Sequence, residues 1–165
     1  MKKAVPFLVL AIAVILIVLF LVKGKGDEKE MVYESEILKN AGVTEFTLQY
    51  SGSSSGGHEF YIYGIEKGKW VLTVKEQETF NSKEKVKKYK ADEEGMLKLY
   101  TIFTENDLEH SKEREGERIY ILDGATATVS VTSDGKRIWV HESEMPEDEH
   151  KYLGEIWSVI KEYIR

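Results

Sequence analysis

HEFYIYGIEKGKWVLTVKE, residues 58–76, reads as two strands joined by a tight turn. His58–Ile65 and Lys69–Glu76 are rich in aromatic and β-branched residues, and Glu66-Lys67-Gly68 ends in a glycine that supplies the positive φ a tight hairpin needs. The same period of two extends to both sides. Across Thr44–Tyr50, Phe46, Leu48 and Tyr50 alternate with polar residues, which predicts a half-buried strand. Lys85–Lys90 is a weaker fourth candidate, because it is mostly lysine; lysines on an edge strand resist edge-to-edge pairing. Strands in meander order make a sheet, so the hairpin decides that the fold is built on one.

The period then changes. Met96, Leu99, Tyr100 and Phe103 recur at i, i+3, i+4 and i+7, with Asp92 placed to cap and Glu93 and Glu94 at the positive end of the dipole. This predicts an amphipathic helix over Asp92–Glu105. Asn106–Glu117 has no apolar period and reads as a polar loop. Period two returns in Arg118–Leu122, Ala125–Thr132 and Lys136–Glu142, with turns at Asp123-Gly124 and Ser133-Asp134-Gly135. Pro146 suits a first helical position, and Leu153, Ile156, Trp157, Ile160 and Ile164 form one stripe of a terminal helix. Tyr33–Ala41 is read as a short helix stopped by Gly42. Together these describe an α+β domain over residues 31–165, with a curved, mainly antiparallel sheet of about six strands and two amphipathic helices packed on one face.

Upstream, Ala4–Val22 is nineteen consecutive residues without a polar or charged side chain, preceded by Lys2 and Lys3. At about 1.5 Å per residue such a helix spans roughly 28 Å, close to the hydrocarbon thickness of a bilayer. Pro6 falls in the first turn, where its missing donor costs little. A cleaved signal peptide would need a shorter apolar region and a small-residue cleavage site, whereas this run passes from Phe20-Leu21-Val22 directly to Lys23-Gly24-Lys25-Gly26. Residues 1–23 are therefore expected to be a single-pass signal-anchor in membrane lipid, and residues 24–30 (GKGDEKE) a charged linker. The lysine count is nearly tied across the span, but so short an N-terminal tail suits an ordinary signal-anchor, which puts the C-terminal domain outside the cytoplasm. The chain has no cysteine, which excludes disulfides and a lipidated cysteine.

Residues 26–165 carry 19 basic and 29 acidic side chains, a net −10. That field opposes nucleic-acid backbones and anionic headgroups, so no nucleic-acid partner is expected.

Candidate chemistry is sparse. His58–Ile65 is apolar on both sides: Phe60 and Ile62 point one way, Tyr61, Tyr63 and Ile65 the other, so something covers its second face. On the last strand Ile138 and Val140 should share the core face with Val129 and Val131, which sends Trp139 and His141 outward. If Tyr61, Tyr63, Trp139 and His141 share one exposed surface, they form an aromatic contact patch; a helix or the linker over that face would remove it, and the accessibility of Trp139 decides. His141–His150 (HESEMPEDEH) is rich in metal-ligating types, but Pro146 and a strand-to-helix junction interrupt it, so it reads as an acidic helix start and no metal is expected. His58 and His110 are read as ordinary histidines. Gly52-Ser53-Ser54-Ser55-Gly56 matches G-x-S-x-G, yet a nucleophile elbow needs a helix after the serine and HEFYIYGI alternates as a strand. A phosphate loop fails for lack of its lysine. No catalytic residue and no cofactor follow.

YSGSSSGGHEFYIYG (50–64) and DGATATVSVTSDGKRIWVHESEMP (123–146), leading into the terminal helix, are similar in layout to small bacterial β-rich domains such as emfourin-type metallopeptidase inhibitors. The resemblance spans residues 46–164 and rests on turns and hydrophobic spacing; it carries over no residues, and the membrane anchor departs from it. The expected function is a membrane-anchored, extracytoplasmic, non-enzymatic binding module for a protein or cell-surface partner. A small hydrolase using His141 and nearby carboxylates, and a protease-inhibitor-like domain with an exposed inserting loop, are the alternatives.

Overall fold

The computed structural model describes residues 33–52, 56–118 and 126–164. The expected anchor and linker, Ser54, the Asp123-Gly124 turn and the strand expected at Arg118–Leu122, apart from Arg118 itself, lie outside them. Among the described residues no helix is long and apolar enough to cross a membrane.

The chain enters through α1 (Glu36–Asn40), capped by the Ser35 hydroxyl accepting from Leu38 N–H. Gly42 follows at φ +56°, and the chain turns into β1 (Val43–Ser51). β2 (His58–Glu66), β3 (Lys69–Gln77) and β4 (Lys85–Lys90) continue the meander. Two-residue turns close the β2–β3 and β5–β6 hairpins: Lys67 and Gly68 in the first and Asp134 and Gly135 in the second all have positive φ, the geometry that matches strand twist. The first turn thus places a lysine as well as the expected glycine in the left-handed region.

α2 (Glu93–Glu105) crosses back over the sheet, and the Asp92 carboxylate caps it by accepting from Gly95 N–H at 3.0 Å. β5 (Thr126–Ser133) and β6 (Lys136–His141) complete an open six-stranded antiparallel sheet in the order β4-β3-β2-β1-β5-β6. The chain ends in α3 (Lys151–Tyr163).

One face of the sheet is the core. Phe46 lies beside Tyr63 and Val131, and Leu48 beside Tyr61 and Val129, in the strand register. Onto this face α2 packs Met96, Leu99 and Phe103, and α3 packs Leu153, Ile156 and Ile160, all buried. Val159 joins them, while Trp157 and Ile164 of the expected stripe are half-buried.

Two expectations change. The polar stretch 106–117 contains a 3-10 helix, Leu108–Glu113, whose Leu108 is fully buried. Pro146 does not start the terminal helix: it precedes a 3-10 turn, Glu147–Glu149, and α3 begins only at Lys151. The turn is needed to aim Glu149 inward, where its carboxylate accepts from Arg114 Nη1 at 2.5 Å and the Ser111 hydroxyl at 2.6 Å. A buried carboxylate is tolerated only when paired in this way.

Candidate functional site

The strand register divides the expected aromatic patch. Tyr61 and Tyr63 alternate with Phe60 and Ile62, and their partners on β1 are the core residues Leu48 and Phe46. Tyr61 is 6% and Tyr63 0% exposed. α3 covers both: the Trp157 ring lies 4.8 Å from that of Tyr61 and the Tyr163 ring 5.4 Å from that of Tyr63, each edge to face. Their hydroxyls are not orphaned, because Tyr61 donates to Glu59 at 2.8 Å and Tyr63 to the Asp92 carbonyl at 2.6 Å. Burial, first of all, pushes both phenols far above their ordinary pKa. These tyrosines are core residues, since a helix rather than solvent claimed their face, and the patch expected from them does not exist.

Trp139 and His141 lie on the other face. Val140 pairs with Val129 and Ile138 with Val131 toward the core, so Trp139 and His141 must point away from it. Trp139 is 55% exposed, and its ring meets the His141 imidazole edge to face at 4.9 Å.

Two rows of side chains cross this open face through the register. One runs Ile62, Thr47, Ser130, Trp139; the next runs Phe60, Gln49, Thr128, His141. Each spans three strand spacings, roughly 14 Å. Apolar and aromatic side chains thus stand on β2 and β6, and short hydroxyl and amide side chains floor the space between. A groove of about 330 Å³ lies here, lined by the residues of both rows except Ile62 and completed by Arg137, Ser51 and Thr126.

Arg137 is fixed across one end. Its Nε donates to Ser130 Oγ at 3.1 Å, and its Nη2 donates to Thr47 Oγ1 at 3.0 Å and Glu45 Oε1 at 2.8 Å. The guanidinium accounts for the burial of Thr47 and Ser130 on a face that no helix among the described residues covers. At the other end Gln49 Nε2 donates to Ser51 Oγ at 3.0 Å, and Thr128 Oγ1 lies 2.7 Å from His141 Nδ1. Sequence reasoning sent Trp139 and His141 to this face but gave no sign of Arg137, Phe60 and the hydroxyl floor beside them, because only the pairing of β1 with β5 brings them together.

The Thr128–His141 contact has the reach of a hydroxyl nucleophile and its base, but among the described residues no carboxylate pairs with the imidazole to orient it. Three carboxylates of the acidic run after His141 have structural roles. Glu142 accepts from Ala127 N–H at 2.9 Å, Glu144 from His141 N–H at 3.0 Å, and Glu149 is buried on Arg114. Among the described residues no group of three or more metal-ligating side chains converges.

No protein-family model, no curated protein and no solved structure matches the chain.

Proposed function

We propose that this chain is a binding module, held to a membrane by residues 4–22 with its domain outside the cytoplasm, and that it binds through the open face of the sheet. The observation that carries the reading is Trp139. A 55% exposed indole above a polar trough is apolar area left open by the described residues, and tryptophan is among the side chains most enriched in binding hot spots. The partner is a protein or a cell-surface component; the net charge of −10 over residues 26–165 disfavours nucleic acid. The unoriented Thr128–His141 pair supports binding better than hydrolysis.

The test is site-specific photo-crosslinking in native membranes, with the photoreactive side chain placed at Trp139 or, as a control on the helix side, at Ile37. Capture of a specific component from position 139 and not from position 37 supports the reading; equal or no capture from both overturns it. Protection of the domain from protease added outside intact cells would overturn the orientation.

One observation favours the inhibitor-like reading as a second. Phe80, 78% exposed, sits on a turn in which Ser82 N–H donates to the Thr79 carbonyl and the Gln77 amide donates to the carbonyls of Phe80 and Ser82. A turn held this way presents its aromatic side chain at little entropic cost to a partner pocket. Loss of a metallopeptidase complex on Phe80→Ala would favour it; no complex with any such enzyme removes it.

A further inference from the structure

We infer that the open-face groove takes an uncharged, hydroxyl-rich chain, an oligosaccharide, with sugar rings stacked on Trp139 and Phe60 and their hydroxyls hydrogen-bonded to the floor. The inference rests on the open-face reading above and names its ligand.

Charge comes first. The domain is strongly acidic, yet among the described residues the only formally charged ones that line the groove are Arg137 and, when protonated, His141. The Arg137 charge is cancelled by Glu45 at 2.8 Å. Farther across the same face Lys88 is paired with Glu66 at 2.6 Å and Lys75 lies 3.9 Å from Glu84. A groove for a phosphate or an acidic polymer would hold free cations, and one for a basic peptide would hold free carboxylates. This one balances its charge internally, and so matches a ligand that has none.

The floor selects among uncharged ligands. An extended peptide is held through backbone ladders at a sheet edge, whereas the groove lies on the face of the sheet, floored by the interior strands β1 and β5 whose backbone groups are already paired, and not along the β6 edge. An amphipathic helix needs an apolar floor, and Thr47, Gln49, Thr128 and Ser130 are polar. Each hydroxyl or amide is both donor and acceptor, as is each sugar hydroxyl. The Arg137–Glu45 pair adds a fixed donor beside a fixed acceptor, a geometry suited to two neighbouring hydroxyls.

The rims supply the remaining term. A pyranose ring carries hydroxyls at its edge and C–H groups on its face, and the exposed Trp139 and the half-buried Phe60 offer it apolar area on either side of the polar floor. A width of roughly 14 Å between rims accommodates more than one ring, which favours an oligosaccharide over a monosaccharide.

The test uses the full-length protein in a detergent without a sugar headgroup. It is titrated by calorimetry and ligand-observed NMR with β-1,4-linked hexasaccharides of glucose and of N-acetylglucosamine, a hexauronate and an acidic hexapeptide. At least one uncharged hexasaccharide should bind saturably, about tenfold or more tighter than the hexauronate or the peptide. Trp139→Ala should weaken it about tenfold or more, Arg137→Ala should also weaken it, and Ile37→Ala should leave it unchanged. An unaltered amide spectrum shows that each variant is folded. Tighter binding of the hexauronate or the peptide overturns the inference, as does uncharged-sugar binding indifferent to Trp139, or none at millimolar concentration. If sugars fail while crosslinking from position 139 still captures a component, the ligand class is wrong and the open-face reading stands. If both fail, the reading falls with it.

Discussion

The Tyr63 hydroxyl donates to the Asp92 carbonyl at 2.6 Å and accepts from Asp92 N–H at 3.1 Å, where α2 begins. Tyr63→Phe keeps the packing and removes both bonds, leaving the part-buried Asp92 N–H without its partner, and should cost about 1 kcal/mol. Urea unfolding measures it; an unchanged midpoint would show that water replaces the phenol and that the contact is incidental. Open-face binding should be unaffected, since Tyr63 lies on the other face. Gly95, in the first turn of α2, makes a sharper case. Alanine there gains roughly 1 kcal/mol of helix propensity. A Cβ at Gly95 would, however, lie 2.3 Å from the Tyr63 hydroxyl and 2.6 Å from that of Tyr163. Gly95→Ala is therefore expected to destabilise by about 1–3 kcal/mol, and a more stable variant would refute the crowding. Trp139→Ala, by contrast, should change stability by no more than about 0.5 kcal/mol, because the indole is 55% exposed and its aromatic partner, His141, is itself exposed. The sequence could not separate these roles. β2 is apolar on both sides, and whether Tyr63 or Phe60 faced the helices depended on where α3 landed.

Long periodic elements were the most legible. α2 starts at Glu93, directly after its cap Asp92, because spacing and first-turn charge agree there. The segment after it was not legible: a single leucine among charged residues has no period, yet Leu108 is fully buried and the 3-10 helix Leu108–Glu113 is pinned around it. Asp107 enters this segment at φ +50° and pairs with His110 at 2.6 Å. Its hydrogen bond to the Asp107 carboxylate raises the His110 pKa above the ordinary 6.5. The same hydrogen bond, with Arg114 adding to it, lowers the Asp107 pKa below the ordinary 3.8. For a raised histidine the stabilising contribution is complete below the unfolded pKa and is lost as pH rises through the folded one. For the lowered carboxylate it is present above the unfolded pKa and lost as pH falls through the folded one. The pair therefore supports the segment between these limits and weakens at both ends. An NMR titration should place the His110 pKa above 6.5, and Asp107→Asn should return it toward that value. A titration unmoved by the substitution would show that the pair does not form in solution.

The pairing of β1 with β5 was invisible to any local pattern, because its partners are some eighty residues apart, yet it places β1 at the interior of the sheet and creates the groove floor. β1 is bonded on both sides and carries Phe46 and Leu48, both fully buried. The two edges are protected differently. β4 is six residues long, four of them lysine, and its side chains are mostly exposed, so it discourages pairing with another copy while gaining little from burial. β6 touches the 3-10 helix Leu108–Glu113, and the chain beside it is tied down by Glu147 N–H donating to the Glu117 carbonyl at 2.9 Å. Stability should therefore fall unevenly from the centre outward. In native-state hydrogen exchange the β1 amides should open only with global unfolding, those of β6 by a smaller opening, and those of β4 by local fraying at much lower free energy. Adding denaturant should leave the β4 rates nearly flat while the β1 rates climb with the full unfolding slope. Equal protection at β4 and β1 would mean that the sheet opens as one unit, and that a lysine-rich edge is held far more tightly than its few buried contacts allow.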